Sequence, residues 1–279
     1  TAVDVAERSG GASVSLRCQG GADGGAELTA LAVLGDDWSD GALGLIQARG
    51  LQLRGALKVT AAGRIASWKL DGDAREIAWQ AVAADRLSLH AHGDGTRAGS
   101  VAELTLAQAR FAGVAVRRAR LEARPVAGDG ANLRFAVQSD RSTAEGSAHV
   151  DAQGGVVATI EHAHLSGEEL AGLPQGGDLL RAAGVDLRGE VLLRDVDATL
   201  SPKGELARAS GEVALTGFRG LGLSAEAISP ARDLPLRTRF DFDPARANAP
   251  LRLRELRLAT VTGEADCELK AGGAFRLTL

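Results

Sequence analysis

The sequence predicts an all-β protein built from a mostly antiparallel sheet, and three observations carry that prediction. Apolar and polar residues alternate with period two along segment after segment. Glycine and aspartate turn signals separate those segments. The composition, 45% hydrophobic with a net charge of −4, supplies a folded core and excludes a disordered chain.

The strands read in order from that alternation. Leu51-Gln-Leu-Arg-Gly-Ala-Leu-Lys-Val59 sets Leu51, Leu53, Leu57 and Val59 on one side, with Gln52, Arg54 and Lys58 on the other. Leu87-Ser-Leu89 repeats the pattern, as do Leu104-Thr-Leu106 and Leu133-Arg-Phe-Ala-Val137. The cleanest case is Leu236-Arg-Thr-Arg-Phe-Asp-Phe-Asp243, where Leu236, Phe240 and Phe242 oppose Arg237, Arg239 and Asp241. Strict alternation makes one face apolar and the other wet, as antiparallel sheets allow and parallel sheets rarely do. Val114 and Val116 continue out of phase as Ala119, Leu121 and Ala123, which predicts a β-bulge or bend.

Turns are expected at Gly20–Gly25, Asp71-Gly-Asp73, Gly93-Asp-Gly95, Gly128-Asp-Gly130, Gly154-Gly155, Pro202-Lys-Gly204 and Gly272-Gly273. One stretch breaks the pattern. Ser166 to Gly184 offers a capping box from Ser166 to Glu169 and a helical turn around Leu179 to Ala183. The expected organisation is a β segment over 1–165, a short helical connection over 166–184 and a further β segment over 185–279. A single open sheet of so many strands must curl, split or close. The remaining solutions are a repetitive, elongated β structure or a stack of hairpins with a continuous apolar face; no fixed-length repeat marks a regular β-helix.

Several functions are excluded or disfavoured. Aromatic residues make up only 3%, too few for the girdles of an outer-membrane barrel. The acidic balance argues against nucleic acid as a partner. No apolar run approaches the roughly 20 residues of a membrane-spanning helix. The chain contains no Met, so Thr1 is not a translation start and the sequence reads as a segment of a longer protein. Arginine carries the basic charge, with lysine only at Lys58, Lys69, Lys203 and Lys270.

Candidate chemistry is sparse. His90/His92 and His162/His164 form two His-x-His pairs, each on one strand face; a four-histidine zinc site would need those strands to be neighbours. Solvated polar-face residues are the favoured reading, and no metal or cofactor is expected. The acidic groups at 35–40, 71–73, 195–197 and 241–243 lack calcium-loop spacing. Gly217-Phe-Arg-Gly-Leu-Gly222 has no βαβ context and reads as a turn, and Arg117-Arg118 as solvated face. Cys18 and Cys267 match no metal or redox spacing; a compact body would let them pair and an elongated one would not. Nucleophile elbows, phosphate loops and zincin motifs are absent, so no enzyme is expected.

The segments Leu51–Leu70, Ala102–Ala123 and Val185–Leu193 resemble the AsmA-like superfamily, which includes TamB- and YdbH-type proteins of the Gram-negative cell envelope. The likeness is one of texture, short Leu-x-Leu-x-Gly strands with arginine at alternate positions, from about residue 40 to the end. It implies a β-taco, an elongated, twisted, mostly antiparallel sheet that forms an open groove lined by apolar side chains. It further implies passive phospholipid transport through the periplasm, serving outer-membrane biogenesis. The chain would then be anchored to the inner membrane by a segment outside this one, with inner- and outer-membrane proteins as partners at its ends. The lipid-groove lining is then Leu51, Leu53, Leu57, Val59, Leu87, Leu89, Leu104, Leu106, Leu133, Phe135, Val137, Leu236, Phe240 and Phe242. A closed core has the same alternation, so the residues alone leave both open. The alternative function is a structural or adhesive β-solenoid module of an exported surface protein.

Overall fold

The computed structural model describes residues 2–9, 12–22, 24–33, 38–39, 46–79, 82–111, 114–126, 130–172, 185–187, 189–203, 205–220, 236–246, 251–258, 261–269 and 275–278. Among the described residues the fold is all-β: an open antiparallel sheet, not closed into a barrel, with one short helix. Two compact units divide it, Thr1–Phe135 and Ala136–Leu279.

The first unit is a meander of β1 (Ala2–Ser9), β2 (Ala12–Gly20), β3 (Ala26–Val33), β4 (Trp38–Ser39), β5 (Ile46–Val59), β6 (Ile65–Trp79), β7 (Val82–Gly93), β8 (Val101–Phe111) and β9 (Val114–Pro125). Consecutive strands pair antiparallel, except that β3 and β4 both pair with β5, at its two ends. β10 (Ala131–Ser139) spans the division between the units.

The second unit holds β11 (Thr143–Val150), β12 (Val156–Ser166), α1 (Gly167–Gly172), β13 (Val185–Leu187), β14 (Glu190–Leu200), β15 (Leu206–Leu215), β16 (Phe218–Gly220), β17 (Leu236–Phe242), β18 (Leu251–Leu258), β19 (Val261–Leu269) and β20 (Phe275–Thr278). The ladder runs β11–β12–β14–β15–β17–β18–β19–β20, all antiparallel, while β13 and β16 pair with each other.

Most glycine signals mark turns as expected. Gly24, Gly95 and Gly154 take positive φ between strands. Asp94 closes its turn by accepting from the Thr96 amide and hydroxyl, at 2.9 and 2.6 Å. Two expected turns are corrected. Asp71-Gly-Asp73 lies inside β6, because the period of Trp68, Leu70, Gly72 and Ala74 runs through it and both aspartates fall on the polar side. Phe218-Arg-Gly220 is a strand, paired with Val185–Leu187.

The helix begins where the capping residues place it, directly after Ser166, but its bonds are rerouted. The Glu169 carboxylate accepts from the Ser139 hydroxyl at 2.6 Å and from the Ser142 hydroxyl, while the Ser166 amide donates to Ser142 Oγ at 2.8 Å. Ser142 thus takes the place of the reciprocal capping bond. Glu168 and Glu169 in the first turn complement the helix dipole. The expected turn at Leu179–Ala183, and those at Gly128 and Gly272-Gly273, lie outside the described residues.

Candidate functional site

The register of the first unit stacks apolar side chains into unbroken cross-strand rows. One row runs Val14, Ala32, Leu53, Gly72, Leu89, Leu104, Leu121 across β2 to β9. Its neighbour runs Leu16, Ala30, Gly55, Leu70, Ala91, Ala102, Ala123. A third joins Cys18, Leu28, Leu57, Trp68 and Gly93. A one-residue slip of any strand would turn its apolar set to the other face, so these rows also hold the register.

The rows are not covered. Leu53, Leu57, Leu89, Leu104 and Leu106 are all half-buried, and Val14 and Leu16 remain 41% and 42% exposed. Among the described residues no large side chain is fully buried; the buried apolar residues are alanines together with Ile77, Val116, Val191 and Val196. A sheet buried against a second layer would enclose its leucines. This one leaves them as a continuous apolar surface.

The second unit repeats the design. Ala148, Ala158, Ala198, Ala209, Phe242 and Leu251 form one row. Leu165, Val191, Leu215 and Leu236 form another.

The expected lining therefore falls on apolar faces: Leu51, Leu53, Leu57, Val59, Leu87, Leu89, Leu104, Leu106, Leu133 and Phe135 in the first unit, Val137, Leu236, Phe240 and Phe242 in the second, each half-buried. Val14, Leu16, Leu28, Trp68, Leu70 and Leu121 share the first unit's rows and were outside that set. Their own alternation was the available signal.

Each face also carries a crease. In the first unit the alternation changes phase at Gly50, Glu76 and Gln108, whose φ angles are 56°, 48° and 51°. The switch continues at Arg117-Arg118, both exposed, where the bend was expected. On the apolar side of this line sit Ala48, Ala74, Ile77, Ala84, Ala109 and Val116, all buried. Left-handed residues in mid-strand bend the chain, and these buried residues gather along the line where they occur. Leu51 and Leu87 pack against this seam.

In the second unit the switch passes through the Glu145/Gly146 shift, Asp195 (φ 48°) and Glu255 (φ 53°). Gly211 is required there. A Cβ on it would meet Val196 Cα at 2.7 Å and the Asp195 carbonyl at 2.9 Å. Thr238, 6% exposed among apolar neighbours, donates its hydroxyl to the Arg254 carbonyl at 2.9 Å.

No family model, curated protein or solved structure matches this chain. Its function is argued from the faces themselves.

The polar faces carry ion pairs both within strands and between them. Asp71 accepts from Lys69 at 2.9 Å and from His90 Nδ1, and these bonds hold its carboxyl below the usual aspartate range. Arg120 donates to Glu103 at 2.8 Å, and Arg124 to Glu122 at 2.8 Å, which lowers Glu122. In the second unit the Arg246 hydrogen bond at 2.7 Å lowers Asp241.

The two His-x-His pairs do not combine. His90 and His92 meet edge to face at 5.8 Å. His162 faces Glu145 at 2.7 Å and His164 faces Glu190 at 3.0 Å. The neighbours of β7 are β6 and β8, and those of β12 are β11 and β14. Among the described residues no group of three His, Cys, Asp or Glu side chains is placed to hold a metal ion. Cys18 is a free, half-buried cysteine on the apolar face, and the Cys267 side chain lies outside the described residues. Among the described residues no helix is long and apolar enough to cross a membrane.

Proposed function

We propose that this chain is a segment of a bridge-like protein of the bacterial envelope, conducting phospholipid with the acyl chains laid along its apolar faces. One observation carries the reading: cross-strand rows of apolar residues whose leucines are only half-buried on an open sheet. Each methylene removed from water is worth about 0.8 kcal/mol, so such a surface holds an acyl chain by area alone. Rows that lack charged residues offer no fixed stopping place, which suits sliding better than tight, oriented binding. A periplasmic location, an inner-membrane anchor elsewhere in the full protein and partners at both membranes belong to the same proposal.

The test is to purify the chain from a bacterial host and analyse an organic extract by mass spectrometry. Near-stoichiometric phospholipid is expected, and Leu104→Asp or Phe135→Asp should remove most of it while the fold persists. A folded, lipid-free wild type would overturn the reading in favour of a structural or adhesive module.

A further inference from the structure

On the polar face of the second unit, arginines stand opposite arginines. The pairing of β17 with β18 sets Arg237 against Arg257 and Arg239 against Arg254. Arg194 joins the second pair through the row Arg194, Glu212, Arg239. Like charges directly opposite destabilise a ladder, and two carboxylates answer them. Glu212 lies 2.9 Å from Arg239, and Glu255 lies 3.3 Å from Arg239 and 3.7 Å from Arg257.

All of these groups but Arg254 line a cleft of about 270 Å³. Four arginines (194, 237, 239 and 257) face two glutamates in its wall, a local positive excess on a chain whose net charge is −4. Ala214, in register between Leu192 and Arg237, is the shortest side chain of the lining and leaves the depression between the longer ones. The volume is below the roughly 300–1,000 Å³ of small-molecule pockets, so it admits one compact group.

We propose that this cleft binds a phosphate-bearing anion, with Arg237 and Arg257 presenting adjacent guanidinium groups to its oxygens. A phosphomonoester dianion matches the two uncompensated positive charges. Guanidinium forks recognise phosphate oxygens two at a time, which a dispersed cation cannot do. The anion would also relieve the repulsion across β17 and β18. This inference uses the polar face alone and stands apart from the lipid reading of the apolar face.

The chemistry is shared by free phosphates and by phosphomonoester lipid headgroups. The experiment is calorimetric titration of the full chain with inorganic phosphate at low ionic strength, with flotation on phosphatidylcholine vesicles containing phosphatidic acid. Three proteins are compared: wild type, R237Q/R257Q, and K58Q/R64Q, which removes equal charge at an exposed turn of the first unit. Wild type and K58Q/R64Q should bind phosphate alike, and R237Q/R257Q about tenfold more weakly or worse. Arg194→Gln, a single exposed change, repeats the comparison should the double variant lose its fold. Vesicle binding that phosphate competes away assigns the headgroup as the source; phosphate binding without flotation assigns a free anion. Equal losses in the two double variants, no binding of either probe, or flotation that persists in R237Q/R257Q without phosphate binding would overturn the proposal.

Discussion

Trp68 of β6 lies over Gly93 of β7, its register partner, and the indole fills the space a side chain at 93 would need. Ser100 Oγ, 2.7 Å from where that Cβ would stand, closes the other side. Gly93→Ala therefore overpacks the end of the row Leu28, Leu57, Trp68. A loss of about 1–3 kcal/mol is expected, read as a lower urea midpoint together with a shift in tryptophan emission.

Leu104 and Ile77 separate an open face from a closed core. Ile77 is 7% exposed at the crease, whereas Leu104 is half-buried in mid-row. Ile77→Ala should cost about 2–4 kcal/mol, within the range for truncation of a buried side chain. Leu104→Ala should cost about 1 kcal/mol, because its Leu side chain already meets solvent. Urea unfolding of both variants checks this, and equal costs would mean that the leucine rows are enclosed.

The alternation made the strands and their apolar faces legible, because period two needs only local sequence. Leu236, Phe240 and Phe242 show it without ambiguity. The creases were less legible. Only the run from Val116 to Ala119 exposed a phase change directly, since Glu76, Gln108 and Glu255 adopt left-handed φ without being the residues that usually announce it. Asp71-Gly-Asp73 misled in the opposite sense, offering turn composition to a position that packs against Leu53 and Leu89. The opposed arginines of β17 and β18 depend on a register set by distant pairings, which alternation does not encode.

Acid sensitivity follows from Asp241. Arg246 donates to it at 2.7 Å and Arg208 lies 3.8 Å away, so its carboxyl titrates lower in the folded chain than in the unfolded one. A depressed folded value means the unfolded state binds the proton first as pH falls. The stabilisation is thus complete above the ordinary aspartate value of about 3.9 and is lost as pH drops through the folded one. Asp241→Asn should lower the melting temperature at pH 7 and flatten its decline between pH 5 and the acid limit, as recorded by circular dichroism. Adding Asp71→Asn should flatten it further, since Lys69 and His90 lower that carboxyl too.

Gln108 tests the crease itself. It is exposed, holds a φ of 51°, and stands where the pairing between Ala107–Arg118 and Ala109–Val116 is interrupted. A non-glycine residue in this region carries about 1–2 kcal/mol of steric cost. Glycine removes that cost while raising the entropy of the unfolded chain by a smaller amount. Gln108→Gly is therefore expected to stabilise by about 0.5–1 kcal/mol, against the usual penalty for glycine within a strand. Gln108→Val should destabilise, because a β-branched side chain tolerates positive φ least, although valine is otherwise among the best strand formers. Urea midpoints in that inverted order would establish the left-handed switch in β8; the ordinary strand ranking, valine above glycine, would show that β8 runs straight through this position.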